Sequence, residues 1–178
     1  VLNWQADDRQ VDLVAQNIDI AIRVGQLNNT NVVARPLMVY QEVIVAAPLY
    51  LHQYGQPKQI EDLRQHRIIG FTPFSQPDVL TFVTAKGQTQ SATLTMAAKT
   101  NAVGSVMRLC QLGLGLARLP RIAVAEFLQS GELVQVLPTL ALPTIQLYAV
   151  TLKRDLQPPK VVAAIEAIKT YIQQHIQK

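Results

Sequence analysis

A chain of 178 residues, 49% apolar and 16% charged, is long enough to bury one substantial core or two smaller ones without disulfides or structural metal. No apolar run approaches the roughly 20 residues of a membrane-crossing helix, no signal-peptide pattern opens the chain, and the lone Cys110 excludes an internal disulfide and fits a reducing compartment. The net charge of +4 raises nucleic acid as a partner, yet Lys and Arg are scattered singly from Arg9 and Arg23 to Lys178, without basic runs or interleaved aromatics, which argues against direct DNA binding.

In chain order, Val1 to Gln5 reads as the remnant of a strand, and Asp8 to Asn17 as a helix with Val11, Val14, Ala15 and Ile18 on one face. Asp19 to Val24 returns as a strand closed by Gly25, which makes a strand, helix, strand unit of the parallel α/β type and leaves Gly25 and Gln26 at a carboxyl edge. Val32 to Leu37 and Val43 to Ala47 follow as strands. Tyr50 to Tyr54 is a short helix ended by Gly55, and Ile60 to Leu63 a further helical turn before the strand at Ile68. Thr81 to Thr84 and Thr89 to Met96, rich in Thr and β-branched residues, are expected to pair antiparallel about Lys86-Gly87.

Thr100 or Asn101 is then placed to cap a helix with Val103, Val106, Met107 and Cys110 on its buried stripe and Gly113 at its end. Leu114 to Leu119 is a buried strand stopped by Pro120, and Arg121 to Gln129 a helix closed by Gly131. Val134 to Leu137 and Ile145 to Thr151 are strands. Pro158-Pro159 introduces the last helix, with Val161, Ile165, Ile168, Ile172 and Ile176 on one face.

Two stretches carry most of the functional signal. Ile68-Ile69-Gly70-Phe71-Thr72 is a strand ending in a small polar residue, and Thr100-Asn101 opens a helix whose first amides are free to meet a ligand; together they describe a pocket and not a catalytic apparatus. Each residue also has a plainer role. Thr100 and Asn101 serve equally as helix caps, Thr72 beside Pro73 as a turn residue, and Arg118 as either an anion site or half of a surface salt bridge. Arg23 is expected to pair with Asp19 or Asp12, while Phe71 and Trp4 are expected in the core, and Cys110 as a packed, unreactive thiol.

The order of motifs resembles the effector-binding domain of LysR-type transcriptional regulators. It is carried by Val11-Asp12-Leu13-Val14, Asp19-Ile20-Ala21-Ile22-Arg23-Val24-Gly25, Ala46-Ala47-Pro48-Leu49-Tyr50-Leu51, Glu61-Asp62-Leu63 with His66, and Ile69-Gly70-Phe71. It continues through Asn101, Gly113-Leu114-Gly115-Leu116, Leu119-Pro120, Gly131-Glu132-Leu133-Val134 and Leu137-Pro138. The resemblance implies an α/β fold of two periplasmic-binding-protein-like lobes, each a mixed sheet flanked by helices and here lacking the first strand and helix. Lobe one would hold residues 1–44 and 139–178, and lobe two residues 45–138.

It further implies a small organic effector, expected to be anionic, held in an inter-lobe cleft by Gly25 and Gln26 of one lobe and Phe71, Thr72, Thr100, Asn101 and Arg118 of the other. The family association is a homodimer or higher oligomer in the cytoplasm, off the membrane, contacting DNA only through an N-terminal helix-turn-helix domain absent from this chain. No cofactor or metal is implied. Enzyme motifs such as Gly-x-Ser-x-Gly or His-Glu-x-x-His do not occur, and His52, His66 and His175 are far apart in sequence. The alternative is a solute-binding protein of a transporter built on the same lobes.

Overall fold

The computed structural model describes residues 2–5, 12–25, 31–84, 87–153 and 157–176. It divides into two compact units, one of Gln10–Tyr40 and Thr144–Lys178, the other of Val1–Arg9 and Gln41–Pro143. The second unit begins earlier than the lobe boundary expected at 44/45, because the whole of Glu42–Ala46 pairs within its sheet.

In the first unit, β1 (Ala21–Val24) and β2 (Val32–Tyr40) lie either side of β10 (Ile145–Leu152), and both pair with it antiparallel. The described strands of this unit are thus antiparallel throughout, and β1 does not belong to the parallel strand, helix, strand unit expected from the sequence. α4 (Pro159–His175) covers one face, where Val161 and Ile165 pack with Ala149, Ile20 and Leu37. Pro at its start supplies a preset φ where no intrahelical donor is needed.

The expected first helix is not formed over its described part. Residues 13–17 are turns, because Asp12 Oδ1 accepts the N–H groups of Val14 at 2.8 Å and Ala15 at 3.2 Å, and Asn17 turns to φ 51°. An aspartate that captures the amides two and three residues on favours a local turn over a continuing helix. Leu13 is the buried residue and Val14 the exposed one, the reverse of the expected stripe; residues 8–11 lie outside the described residues. Leu2 to Gln5 form no strand, and Trp4 is 73% exposed rather than in the core.

The second unit holds a five-stranded sheet in the order β7-β4-β8-β3-β9. Here β3 is Glu42–Ala46, β4 Arg67–Phe71, β7 Thr95–Thr100, β8 Leu116–Pro120 and β9 Val134–Val136. β4 runs parallel to β7 and β8, while β3 is antiparallel to β8 and β9. Every residue of β3 is buried, the expected signature of a strand covered on both faces. Alternation sends Ile44 and Ala46 to one core and Val43 and Val45 to the other.

The first of these cores is closed by α1 (Pro48–Tyr54), the 3-10 turn Ile60–Gln65, and the hairpin of β5 (Val79–Val83) and β6 (Thr89–Thr93), through Tyr50, Leu63, Leu80 and Phe82. The second is closed by α2 (Val103–Gln111) and α3 (Arg121–Ser130), through Val106, Cys110 and Val124. Gly131, expected to end α3, does so at φ 79°, the left-handed region that glycine enters without steric cost.

Candidate functional site

Three strands of the second unit deliver the predicted residues to one edge of the sheet. β4, β7 and β8 are mutually parallel, so their carboxyl ends emerge together, carrying Phe71 and Thr72, Thr100 and Asn101, and Arg118 respectively. Phe71 pairs in register with Thr100, and Thr72 donates its N–H to the Thr100 carbonyl at 2.9 Å. The two predicted hydroxyl residues are therefore neighbours across the ladder. Thr72 and Asn101 are exposed and Thr100 half-buried.

Neither Thr100 nor Asn101 caps α2, as the sequence suggested. Pairing with β4 keeps Thr100 in extended backbone as the last residue of β7, and the N-cap falls on Ala102, which has no side chain able to accept a hydrogen bond. Thr100 Oγ1 instead accepts the Ala102 N–H at 3.2 Å, a turn that leaves the hydroxyl proton for another acceptor. The first turn of α2 contains no acidic residue. The helix's own first turn therefore does nothing to offset the positive end of its dipole.

Arg118 is not a free cation. Glu42 opens β3 opposite Pro120, Arg118 faces Ile44, and the two side chains meet diagonally across the antiparallel pair, with Arg118 Nε donating to Glu42 Oε2. The Glu42 side chain is only 3% exposed and that of Arg118 20%. Burial pushes the Glu42 acid above its usual range, while the charge and hydrogen bond of Arg118 pull it down. The guanidinium also lies 4.5 Å from the centroid of Phe74, whose ring meets Phe71 edge-on at 5.4 Å. A partly desolvated cation–π contact of this kind contributes about 0.5–2 kcal/mol.

Neither Glu42 nor Phe74 was singled out from the sequence. The signal for Glu42 was an acid opening an otherwise apolar strand; Phe74 offered none, because its role depends on a turn. A polar pocket of about 250 Å³ lies beside Glu42, lined also by Gln41, Val43, Arg121, Gln135 and Pro138, Thr139, Leu140, Ala141 and Leu142. None of the predicted residues lines it. Arg121 Nη1 there donates to Gln135 Oε1 at 2.9 Å, and the Arg121 N–H to the Gln41 carbonyl at 2.9 Å.

Gly25 belongs to the first unit, where it turns at φ 77° after β1 and donates its N–H to the Gln146 carbonyl at 3.1 Å. Gln26 lies outside the described residues. Arg23 is half-buried, and Asp19, one of its two expected partners, takes Lys160 Nζ at 2.7 Å. Among the described residues no group of three His, Cys, Asp or Glu could hold a metal ion, and no helix is long and apolar enough to cross a membrane.

Two buried polar groups away from the edge are structural. Tyr50 Oη accepts the Arg67 N–H at 2.9 Å and lies 3.3 Å from His66 Nδ1, so the neutral His66 ring is placed to accept the phenolic proton. Cys110 donates its Sγ–H to the Val45 carbonyl at 3.5 Å, and burial pushes its thiol up to about 12, as expected of a packed and not a reactive cysteine.

A mixed sheet whose parallel strands bring hydroxyls and a helix start to one carboxyl edge defines an α/β domain of the ligand-binding class. The chain belongs to the LysR substrate binding domain family, which matches residues 1–173. It is 34% identical over 94% of its length to the HTH-type transcriptional regulator PtxR of Pseudomonas aeruginosa, covering 53% of that protein. It is 29% identical over 98% to the HTH-type transcriptional regulator DmlR of Escherichia coli, covering 56%. The chain thus spans about half the length of these relatives.

Among solved structures, the full-length virulence activator AphB of Vibrio cholerae superposes with a TM-score of 0.76 at 28% identity, over 92% of this chain and 55% of that one. The regulatory domain of CrgA from Neisseria meningitidis gives 0.77 at 22% identity, over 88% and 76%, a likeness of fold alone. The fold is the α/β, two-lobed, periplasmic-binding-protein-like class that the resemblance implied.

Proposed function

We propose that this chain is the effector-binding and dimerisation part of a cytoplasmic transcription regulator of the LysR type. A small organic molecule bound at the carboxyl edge of β4, β7 and β8 biases the chain between two states, and with it the DNA binding of a helix-turn-helix domain carried elsewhere in the protein. A ligand can shift such an equilibrium only by its difference in affinity for the two states. The supporting observation is the edge itself: Thr72 and Thr100 are neighbours beside the start of α2, whose first turn carries no acidic residue of its own. Those groups suit a carboxylate or another polar acceptor.

With its charge matched by Glu42, Arg118 supports the site as a neighbour and not as an anion receptor. A transporter's solute-binding protein is the less favoured reading, since the relatives named above are transcription regulators.

The test is thermal unfolding against small carboxylates, amino acids and aromatic acids. A specific ligand raises Tm by mass action, by about 2.7 kcal/mol of stabilisation at a hundredfold excess over Kd. The shift should vanish in Thr72→Ala and Asn101→Ala while their unliganded Tm stays near the parent's. A ligand whose shift survives both substitutions binds elsewhere and overturns the assignment of the edge.

A further inference from the structure

The turn that carries Thr72 is pinned to the sheet from outside β4. Thr72 and Pro73 lie between Phe71, the last residue of β4, and Phe74, whose N–H returns to the Phe71 carbonyl at 3.1 Å. On the neighbouring strand, Arg118 stands one residue beyond the last β4–β8 register pair, Ile69↔Ala117, and lays its guanidinium over the Phe74 ring. Glu42 holds that guanidinium from β3, beyond β8, by taking its Nε–H.

We infer that Glu42, Arg118 and Phe74 form a positioning device for the effector site: Glu42 fixes the guanidinium, the guanidinium holds the Phe74 ring, and the ring sets the turn that presents Thr72. The assignment rests on the proposed effector edge and specifies how its central residue is kept in place.

Three features support it. A guanidinium can take a hydrogen-bond acceptor in its plane and a ring on its face at once, so one side chain serves both neighbours, which an ammonium cannot do. The pair is largely buried, so its geometry is not loosened by exchange with water as a surface pair's would be. Glu42 also lies two residues after Tyr40, where the chain leaves the first unit. The device therefore links the start of the unit's first strand to the turn bearing Thr72, across two inter-strand boundaries.

The experiment needs no ligand. Amide hydrogen exchange, read residue by residue by NMR on the whole chain, reports the Thr72 and Phe74 amides against those of the β5–β6 hairpin, which sits in the other core of the same unit. Arg118→Lys keeps the charge but loses the planar stack; Phe74→Leu removes the ring and leaves the ion pair; Glu42→Leu removes the acceptor of the Nε–H. Each should accelerate exchange at both Thr72 and Phe74 by tenfold or more, with the hairpin within twofold of the parent. Phe74→Tyr, which keeps the ring, should restore parental exchange.

A smaller change at those amides in any of the three variants, or an equal rise in the hairpin, would show that the trio does not act together on the turn and would overturn the assignment. An effector screen that finds no ligand leaves these exchange ratios unaltered, and unchanged exchange leaves ligand binding at Thr72 standing, so the two readings fail separately.

Discussion

Gly115→Ala should be strongly destabilising for the addition of a single methyl group. Gly115 immediately precedes β8, and a Cβ built there lies 2.8 Å from the Arg67 carbonyl oxygen and 3.2 Å from its carbon. Ordinary contact begins at 3.4 Å, so the neighbouring strands would have to part by about 0.6 Å where Ile68 pairs with Leu116. Both clashing atoms are backbone, so no side chain can swing away, which places the cost in the upper part of the range for overpacking, about 2–3 kcal/mol.

At about 2–4 °C per kcal/mol for a chain of this size, Tm should fall by about 4–12 °C. Gly104→Ala in α2 is the control. Its Cβ meets nothing within 4 Å and its φ is ordinary, so it should be neutral or stabilise by up to about 1 kcal/mol through helix propensity. Urea unfolding followed by circular dichroism, with an unchanged denaturant slope, gives the two values. A Gly115→Ala loss below 1 kcal/mol, or one equal to that of Gly104→Ala, would refute the packing argument.

Tyr50→Phe should cost about 1–2 kcal/mol, because it removes the acceptor of the Arg67 N–H and the partner of His66 while keeping the ring, and urea melts will measure it. Burial lowers the pKa of His66 from 6.5, with Asp62 opposing. The unfolded chain therefore binds the extra proton first, and the contribution of neutral His66 is complete above pH 6.5 and lost as pH falls through the depressed folded value. Melts between pH 7.5 and 5 should show that slope, and His66→Gln should flatten it. Cys110, with its thiol pushed up to about 12, should resist alkylation at pH 8 until the chain unfolds, as mass spectrometry after timed iodoacetamide treatment will show; prompt labelling of the native chain would contradict its burial.

Most elements were legible where a residue type leaves little choice. Pro158-Pro159 starts α4, Gly131 ends α3, and the unbroken apolar run from Val43 to Ala47 contains a strand buried on both faces. β7 was not separated from β6, since only Leu94 lies between them and Ala97, Ala98 and Lys99 carry weak strand preference. What makes it a strand is parallel pairing with β4, a contact remote in sequence. At the site, Thr72 could be read as the residue ending an apolar strand and Thr100 as one opening a helix, whereas the matching of Arg118 by Glu42 could not. It depends on the β3–β8 register, which local pattern does not encode. The missed turn at Asp12 is the converse case: apolar spacing suggested a helix, and one carboxylate diverted the amides.

The order of the first unit's strands bears on how the chain is made. β1 and β2 do not pair with each other; each needs β10, which lies beyond the whole of Gln41–Pro143. On a ribosome adding about 5–20 residues per second, β1 and β2 would wait roughly 5–20 s for their common partner. The intervening segment, contiguous in sequence and with its own sheet, can complete its core meanwhile. Synthesis from one end therefore favours a folded second unit with two unsatisfied strands ahead of it, and places the greatest exposure to chaperones and to mispairing at residues 21–40.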